Sequence, residues 1–116
     1  MTDIQKKPLA YLAGPYSADP VHYTRQAVLW AELLYRDNYA VIIPHLTMLQ
    51  DLICFADKDA WLERDIQQLM RCDIVFTFDD ETPSPGRDNE LMVATEIGIP
   101  VYPIAAAHDV RAGLEF

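Results

Sequence analysis

The sequence predicts an α/β fold built on a parallel sheet, and three observations carry that expectation. Short apolar runs of strand length alternate with amphipathic stretches of helix length along the whole chain. Leu9-Ala10-Tyr11-Leu12-Ala13 and Ile74-Val75-Phe76-Thr77-Phe78 are apolar almost throughout, as strands covered on both faces require. No repeat and no low-complexity segment interrupts the alternation. With 116 residues against the ~150 typical of a domain, residues 1–116 make one domain.

The first strand, Leu9 to Ala13, stops at the turn Gly14-Pro15. Asp19-Pro20 then starts a helix from Val21 to Asp37, where Tyr23, Ala27, Trp30, Ala31, Leu34 and Tyr35 fall on one stripe. Tyr39 to Ile43, rich in β-branched residues, is the second strand, stopped by Pro44. A loop carrying His45 and Asp51 leads to a second helix from about Asp59 to Arg71, with Leu62, Ile66, Leu69 and Met70 as its core stripe. The third strand is Ile74 to Phe78. After the polar loop Asp79 to Gly86, a third helix runs from Arg87 to Ile97 and ends on Gly98, and Ile99 to Ile104 is the fourth strand.

Composition removes several function classes. Nine Lys and Arg stand against 18 Asp and Glu, a net charge of −9, which opposes both duplex nucleic acid and anionic membrane surfaces. Apolar stretches fall far short of the ~20 residues of a spanning helix, and the opening Met1 to Pro8 lacks the apolar core of a secretory signal, so the cytosol is the expected location. Cys54 and Cys72 match no zinc or disulfide spacing and are expected to be reduced, half-buried structural thiols.

In a parallel sheet, ligands bind beyond the carboxyl ends of the strands. The functional end therefore comprises Gly14 to Ser17, Pro44 to Thr47, Asp79 to Glu90 and the chain after Ile104. Glu90 heads a helical stripe that continues through Ala94 and Ile97, where a carboxylate is costly without a task or partner; complementing the helix N-terminus is its simpler role. Asp65 borders the core stripe of its helix and reads either as a site carboxylate or as half of a surface pair with Arg25, Arg64 or Arg71. Tyr11, in a strand buried on both faces, must find a partner for its phenol. Gly14-Pro15-Tyr16-Ser17 has one glycine and no phosphate-loop pattern. Ser84 reads equally as a helix cap or an anion ligand, and His45 as a ligand contact or a structural histidine. The run Asp79-Asp80-Glu81 cannot easily converge on a metal, so neither metal nor cofactor is expected.

Three segments in register resemble the nucleoside 2-deoxyribosyltransferase superfamily: Tyr11-Leu12-Ala13-Gly14-Pro15-Tyr16-Ser17; Asp65 with Leu69-Met70-Arg71-Cys72-Asp73-Ile74-Val75; and Ser84-Pro85-Gly86-Arg87-Asp88-Asn89-Glu90, followed by Ala94 and Gly98-Ile99-Pro100-Val101. Pro44-His45-Leu46 resembles its small members. The resemblance covers nearly the whole chain and implies a single flavodoxin-like (Rossmann-like) three-layer domain with a parallel sheet of four to five strands. It implies Glu90 as nucleophile, Asp65 as acid and sugar-orienting group, and Tyr11 as the residue holding the nucleophile. Gly14, Tyr16, Ser17, His45, Ser84 and Gly86 are the implied substrate-binding positions.

The six-residue offset from Ser84 to Glu90 resembles the 2′-deoxynucleoside 5′-phosphate N-hydrolases, whose serine at that place contacts a 5′-phosphate. The expected substrate is therefore a (deoxy)nucleoside 5′-monophosphate, cleaved at its N-glycosidic bond. Base exchange on a nucleoside and silent nucleotide binding are the alternatives. The chemistry is consistent: an oxocarbenium-like state is captured by one carboxylate while a second group handles the leaving base. A homodimer or a multiple of it is also expected. The first helix carries Tyr23, Trp30, Leu33, Leu34 and Tyr35 over more than one stripe, and the resemblance implies sites that borrow residues from a neighbour, with His108 to Phe116 near a second copy's site.

Overall fold

The protein was analysed as a computed structural model that describes residues 4–116; Met1, Thr2 and Asp3, part of the stretch read for a secretory signal, lie outside the described residues. The alternation read from the sequence resolves into four strands, β1 (Leu9–Ala13), β2 (Ala40–Ile42), β3 (Ile74–Thr77) and β4 (Val101–Pro103), and five helices, α1 (Pro20–Arg36), α2 (Thr47–Ile53), α3 (Lys58–Leu69), α4 (Pro85–Ile97) and α5 (Ala107–Ala112). All strand pairs are parallel, in the order β2-β1-β3-β4, with Tyr11 opposite Ile42 on one side and Val75 on the other. This is the flavodoxin-like, Rossmann-like arrangement, with four strands among the described residues.

Pleating sorts the central strands into two cores. Ala10, Leu12, Ile74 and Phe76 face Tyr23, Ala27, Ala31 and Leu34 of α1 and Ala107 of α5. Tyr11, Ala13 and Val75 face the opposite way, onto Leu69 of α3, Cys72, and Ala94 of α4. Helices thus cover both faces, and β1 and β3, fully enclosed between them, fix everything that projects from their ends. The caps agree with the local sequence: Asp19 accepts from the His22 amide, Asp57 from the Ala60 amide and Ser84 from the Arg87 amide, while Gly98 takes the left-handed conformation at φ 85° that closes α4.

Several expectations need correction. The segment after β2 is not a loop: a 3₁₀ turn, Pro44–Leu46, leads directly into α2. That helix buries no residue, so its apolar positions form no core stripe by which periodicity could reveal it. Tyr35, Met70 and Ile97, each in the last turn or at the C-cap of its helix, lie off the buried stripes and are exposed. Cys72 is buried as a structural thiol, but Cys54 caps the C-terminus of α2 and is exposed; both are free thiols. The chain after β4 forms a 3₁₀ turn and α5, tied to the core by the Tyr39 hydroxyl donating to the Ala107 carbonyl at 2.8 Å. Among the described residues no helix is long and apolar enough to cross a membrane.

Candidate active site

A cleft of about 410 Å³ opens beyond the carboxyl ends of β1 and β3. Eight of the nine residues singled out from sequence line it: Gly14, Tyr16, Ser17, His45, Asp65, Ser84, Gly86 and Glu90. The ninth, Tyr11, lies inside the sheet beneath it and is fully buried. Their convergence follows from topology, since the β1–α1 turn, the β2–α2 turn and the β3–α4 loop all emerge at one end of a parallel sheet.

The floor of the cleft is built by close packing. A Cβ on Gly14 would lie 2.2 Å from the ring of Phe78, so the turn after β1 can pass over the end of β3 only as glycine. The β3–α4 loop is held by Arg87, itself buried. Its guanidinium donates to the Asp79 carbonyl at 2.8 Å and to the Thr82 carbonyl at 2.9 Å. The Thr82 hydroxyl bonds Asp79 at 2.9 Å and receives the Tyr23 hydroxyl at 3.2 Å. Asp79, at φ 53°, adopts the left-handed turn that this pinned loop requires. Ser84 caps α4 and its Oγ accepts the Arg87 amide at 3.3 Å; the hydroxyl proton stays free to donate into the cleft.

Three buried side-chain polar atoms lack a hydrogen-bond partner among the described residues: Tyr11 Oη, Glu90 Oε2 and His45 Nδ1. Tyr11 and Glu90 influence one another strongly, the phenol working to hold the carboxyl's acidity up, although neither orphaned atom meets hydrogen-bond geometry in the ligand-free site. Burial pushes the Glu90 carboxyl up to about 8; the Tyr11 hydroxyl works against that rise and the Asp65 charge adds to it. Burial likewise raises Asp65 to about 6. Asp65 forms no ion pair among the described residues: Arg64 instead stacks over the Trp61 ring at 4.6 Å, and Arg71 turns to Gln67. Burial, together with the Glu90 and Asp65 charges, drives the Tyr11 phenol far above its ordinary range.

His45 donates from Nε2 to the Pro15 carbonyl at 2.8 Å, which leaves Nδ1 as an acceptor. Burial lowers its pKa, so the ring is neutral at pH 7, packed between Tyr16 and Phe78. Two features of the opposite wall were not singled out from sequence. Asp51 accepts the Trp61 indole at 2.5 Å and the Ala56 amide at 3.3 Å, tying α2 to α3 beside the cleft, and Phe55 stands at the rim. An aspartate and a tryptophan ten residues apart across a helix break have no local signature. Among the described residues no cluster of His, Cys, Asp and Glu is arranged to hold a metal ion.

The cleft thus lies at the strand ends of a flavodoxin-like domain, with the carboxyls of Glu90 and Asp65 in its lining and neither in an ion pair among the described residues. The chain matches over residues 8–104 the family described as Domain of unknown function (DUF7768), and it belongs to that family. No curated protein matches it.

Proposed function

We propose that the cleft cleaves the N-glycosidic bond of (deoxy)nucleoside 5′-monophosphates. Glu90 attacks C1′ as the base departs, Asp65 protonates the leaving base or orients the sugar, and Tyr11 positions the Glu90 carboxylate. The C1′–N bond breaks with its electron pair going to the base; the glycosyl ester on Glu90 is then resolved by water with net retention. The observation that carries this reading is the orphaned, buried pair Tyr11 Oη and Glu90 Oε2 at the floor of a cleft that also holds Asp65. A carboxyl kept out of water without a cation is costly in the resting protein and strongly stabilises a cationic oxocarbenium-like state placed beside it. The raised pKa values of Asp65 and Glu90 leave the pair holding about one proton near neutrality; in the resting site it stands on Glu90, so attack on C1′ requires that proton to pass to Asp65 or to solvent.

Ser84 and the Gly86 amide at the N-terminus of α4 support a 5′-phosphate. One observation favours the second reading, base exchange on an unphosphorylated nucleoside. Asp51, Asp65 and Glu90 line the cleft against Lys58 and Arg87, and the Arg87 guanidinium is committed to backbone carbonyls. A cytoplasmic location belongs to the same proposal, since nucleotides and free thiols coexist there.

The test is chromatographic detection of free base after incubation with ribo- and deoxyribonucleotides and their nucleosides, with and without a second base. Release from monophosphates, abolished by Glu90→Ala in a protein that still folds, is the expected result. A new nucleoside formed only when a second base is supplied selects the exchange reading. No release from any of these compounds, with nucleotide binding intact, leaves a silent binding domain and overturns catalysis.

A further inference from the structure

Asp51 spends only half of its carboxylate on the fold. Oδ1 takes both the Trp61 indole at 2.5 Å and the Ala56 amide at 3.3 Å. Oδ2 accepts no hydrogen bond and Asp51 enters no ion pair among the described residues, yet the side chain lines the cleft and Oδ2 stays open to solvent. Tyr16, on the turn after β1, feels that charge: burial first and Asp51 second raise its phenol, so the carboxylate faces across the cleft. The tie between α2 and α3 needs one acceptor oxygen, which an amide would supply equally well. The charge and the second oxygen are surplus to it.

Position says what would meet that oxygen. Trp61, which holds Asp51, precedes Asp65 by one turn of α3, roughly 6 Å of helix rise on the same face. With C1′ at Glu90 and the 5′ end at Ser84, the base of a bound nucleotide extends towards the rest of the lining: Tyr16, His45, Phe55, Trp61, Leu62 and Asp51. Aromatic faces hold any base and choose none, so the choice falls to polar groups. Ser17 and Lys58 are exposed, and the Thr47 hydroxyl donates to the Pro44 carbonyl at 2.7 Å. Two acceptors are left that no donor meets, Asp51 Oδ2 and the buried His45 Nδ1. This end of the cleft asks for donors.

Resting on the nucleotide reading of the cleft, the geometry points to Asp51 as the residue that selects the base: Oδ2 accepts an N–H of an exocyclic amine, so the ligand is a nucleotide of an amino-bearing base and its deaminated counterpart is rejected. A hydrogen bond to an ionised acceptor is among the strong ones. A carboxylate has no proton to offer a carbonyl, so the deaminated base sets acceptor against acceptor where bound ligand has displaced water.

Asp51 makes and breaks no covalent bond in this role. Asp65 and Glu90 act at the sugar and the glycosidic nitrogen, and Asp51 reads the far edge of the base. Selection by Asp51 therefore shows in binding alone, whether or not the bound nucleotide is cleaved.

Two pairs of 5′-monophosphates that differ only by deamination test this, adenine against hypoxanthine and cytosine against uracil. Calorimetric titration uses Glu90→Gln protein, so that the ligand survives the measurement. The amino-bearing member should bind at least about tenfold more tightly in one pair or both. Adding Asp51→Asn should reverse that order, because the Trp61 and Ala56 donors hold the amide oxygen and leave its N–H₂ towards the base. A merely structural Asp51 would weaken both members alike. The comparison within each pair needs no change at Asp51, so it decides the matter even if the substitution unfolds α2. Equal affinities in both pairs, tighter binding of the deaminated members, or an order that Asp51→Asn leaves unchanged would overturn the selection while the nucleotide reading stands. No binding of any of the four would overturn both.

Discussion

The two walls of the cleft are built on different terms. One wall, from β1, β3 and the start of α4, is enclosed: Tyr11, Gly14, Phe78, Arg87 and Glu90 are all buried, and Arg87 holds the loop between β3 and α4 by its backbone carbonyls. The other, from α2 and the first turns of α3, buries nothing in α2 and is joined across the break by Asp51, with Phe55 left 85% exposed at the rim. The difference separates two tasks. If the cleft acts as proposed, Tyr11 and Glu90 sit where packing over-determines them, and the side that would admit a ligand sits where little packing opposes rearrangement.

The largest expected effect tests whether the enclosed wall carries a destabilising charge. Folding holds the Glu90 carboxyl at about 8 against an ordinary 4.5, so the native state binds more protons than the unfolded chain between those values. The Glu90 contribution to stability is therefore fullest below about pH 4.5 and is lost as pH rises towards 8. Asp65 acts with the same sign, but its share is complete by about pH 6. His45, held below its ordinary 6.5 by burial, acts with the opposite sign and only below that value. His108, raised by its bond to Asp37, destabilises on deprotonation but is fully exposed and untouched by a change at Glu90.

Between pH 6.5 and 8 the difference between parent and Glu90→Gln thus reports Glu90 itself. Glu90→Gln should be the more stable protein at pH 8 by a few kcal/mol, on the scale of ~1.4 kcal/mol per pK unit, and nearly equal to the parent at pH 5. Denaturant melts at the two pH values decide it. Parallel stability curves for the two proteins would show that Glu90 titrates as an ordinary surface carboxyl.

A smaller effect contrasts the walls directly. Gly14→Ala forces a methyl into the Phe78 ring, and Phe78 is itself buried with nowhere to turn. Overpacking of this kind costs about 1–3 kcal/mol, and thermal unfolding should fall by roughly 5 °C per kcal/mol. Phe55→Ala on the opposite wall removes an exposed ring and should stay within about 0.5 kcal/mol. Equal losses at both positions would erase the distinction between the walls.

How much of this was legible in the sequence follows the same division. β1 and β3 announce themselves as apolar runs, α1 and α3 by period, and the strand-end rule places Gly14, His45, Ser84 and Glu90 at one end before any side chain is seen. The helix α2 stayed hidden because it has no buried face to create a period. Gly14 was read as part of a weak ligand turn, whereas its demand comes from Phe78, sixty-four residues away. Arg87 as a pin for backbone carbonyls, and Asp51 as the acceptor for Trp61, are tertiary matches between distant groups. Local propensity and period describe each segment alone and are silent about which backbone atoms it will meet.

The smallest effect concerns Ser84, where both roles read from the sequence meet in one side chain. Its Oγ accepts the Arg87 amide and so caps α4, and Ser84→Ala should cost about 1 kcal/mol of stability on that account. A hydroxyl that accepts from the helix keeps its own proton for a ligand, and the helix N-terminus adds a partial positive charge at the same point. If the cleft takes a 5′-monophosphate, Ser84→Ala should weaken the monophosphate by several-fold more than the matching nucleoside, and Ser84→Thr should restore both the cap and the selectivity. Calorimetric titration of both compounds against the three proteins reads this out. Equal weakening of the two would confine Ser84 to capping, and with Arg87 committed to its loop the enclosed wall would then lack a side-chain phosphate contact, which favours the unphosphorylated nucleoside as substrate.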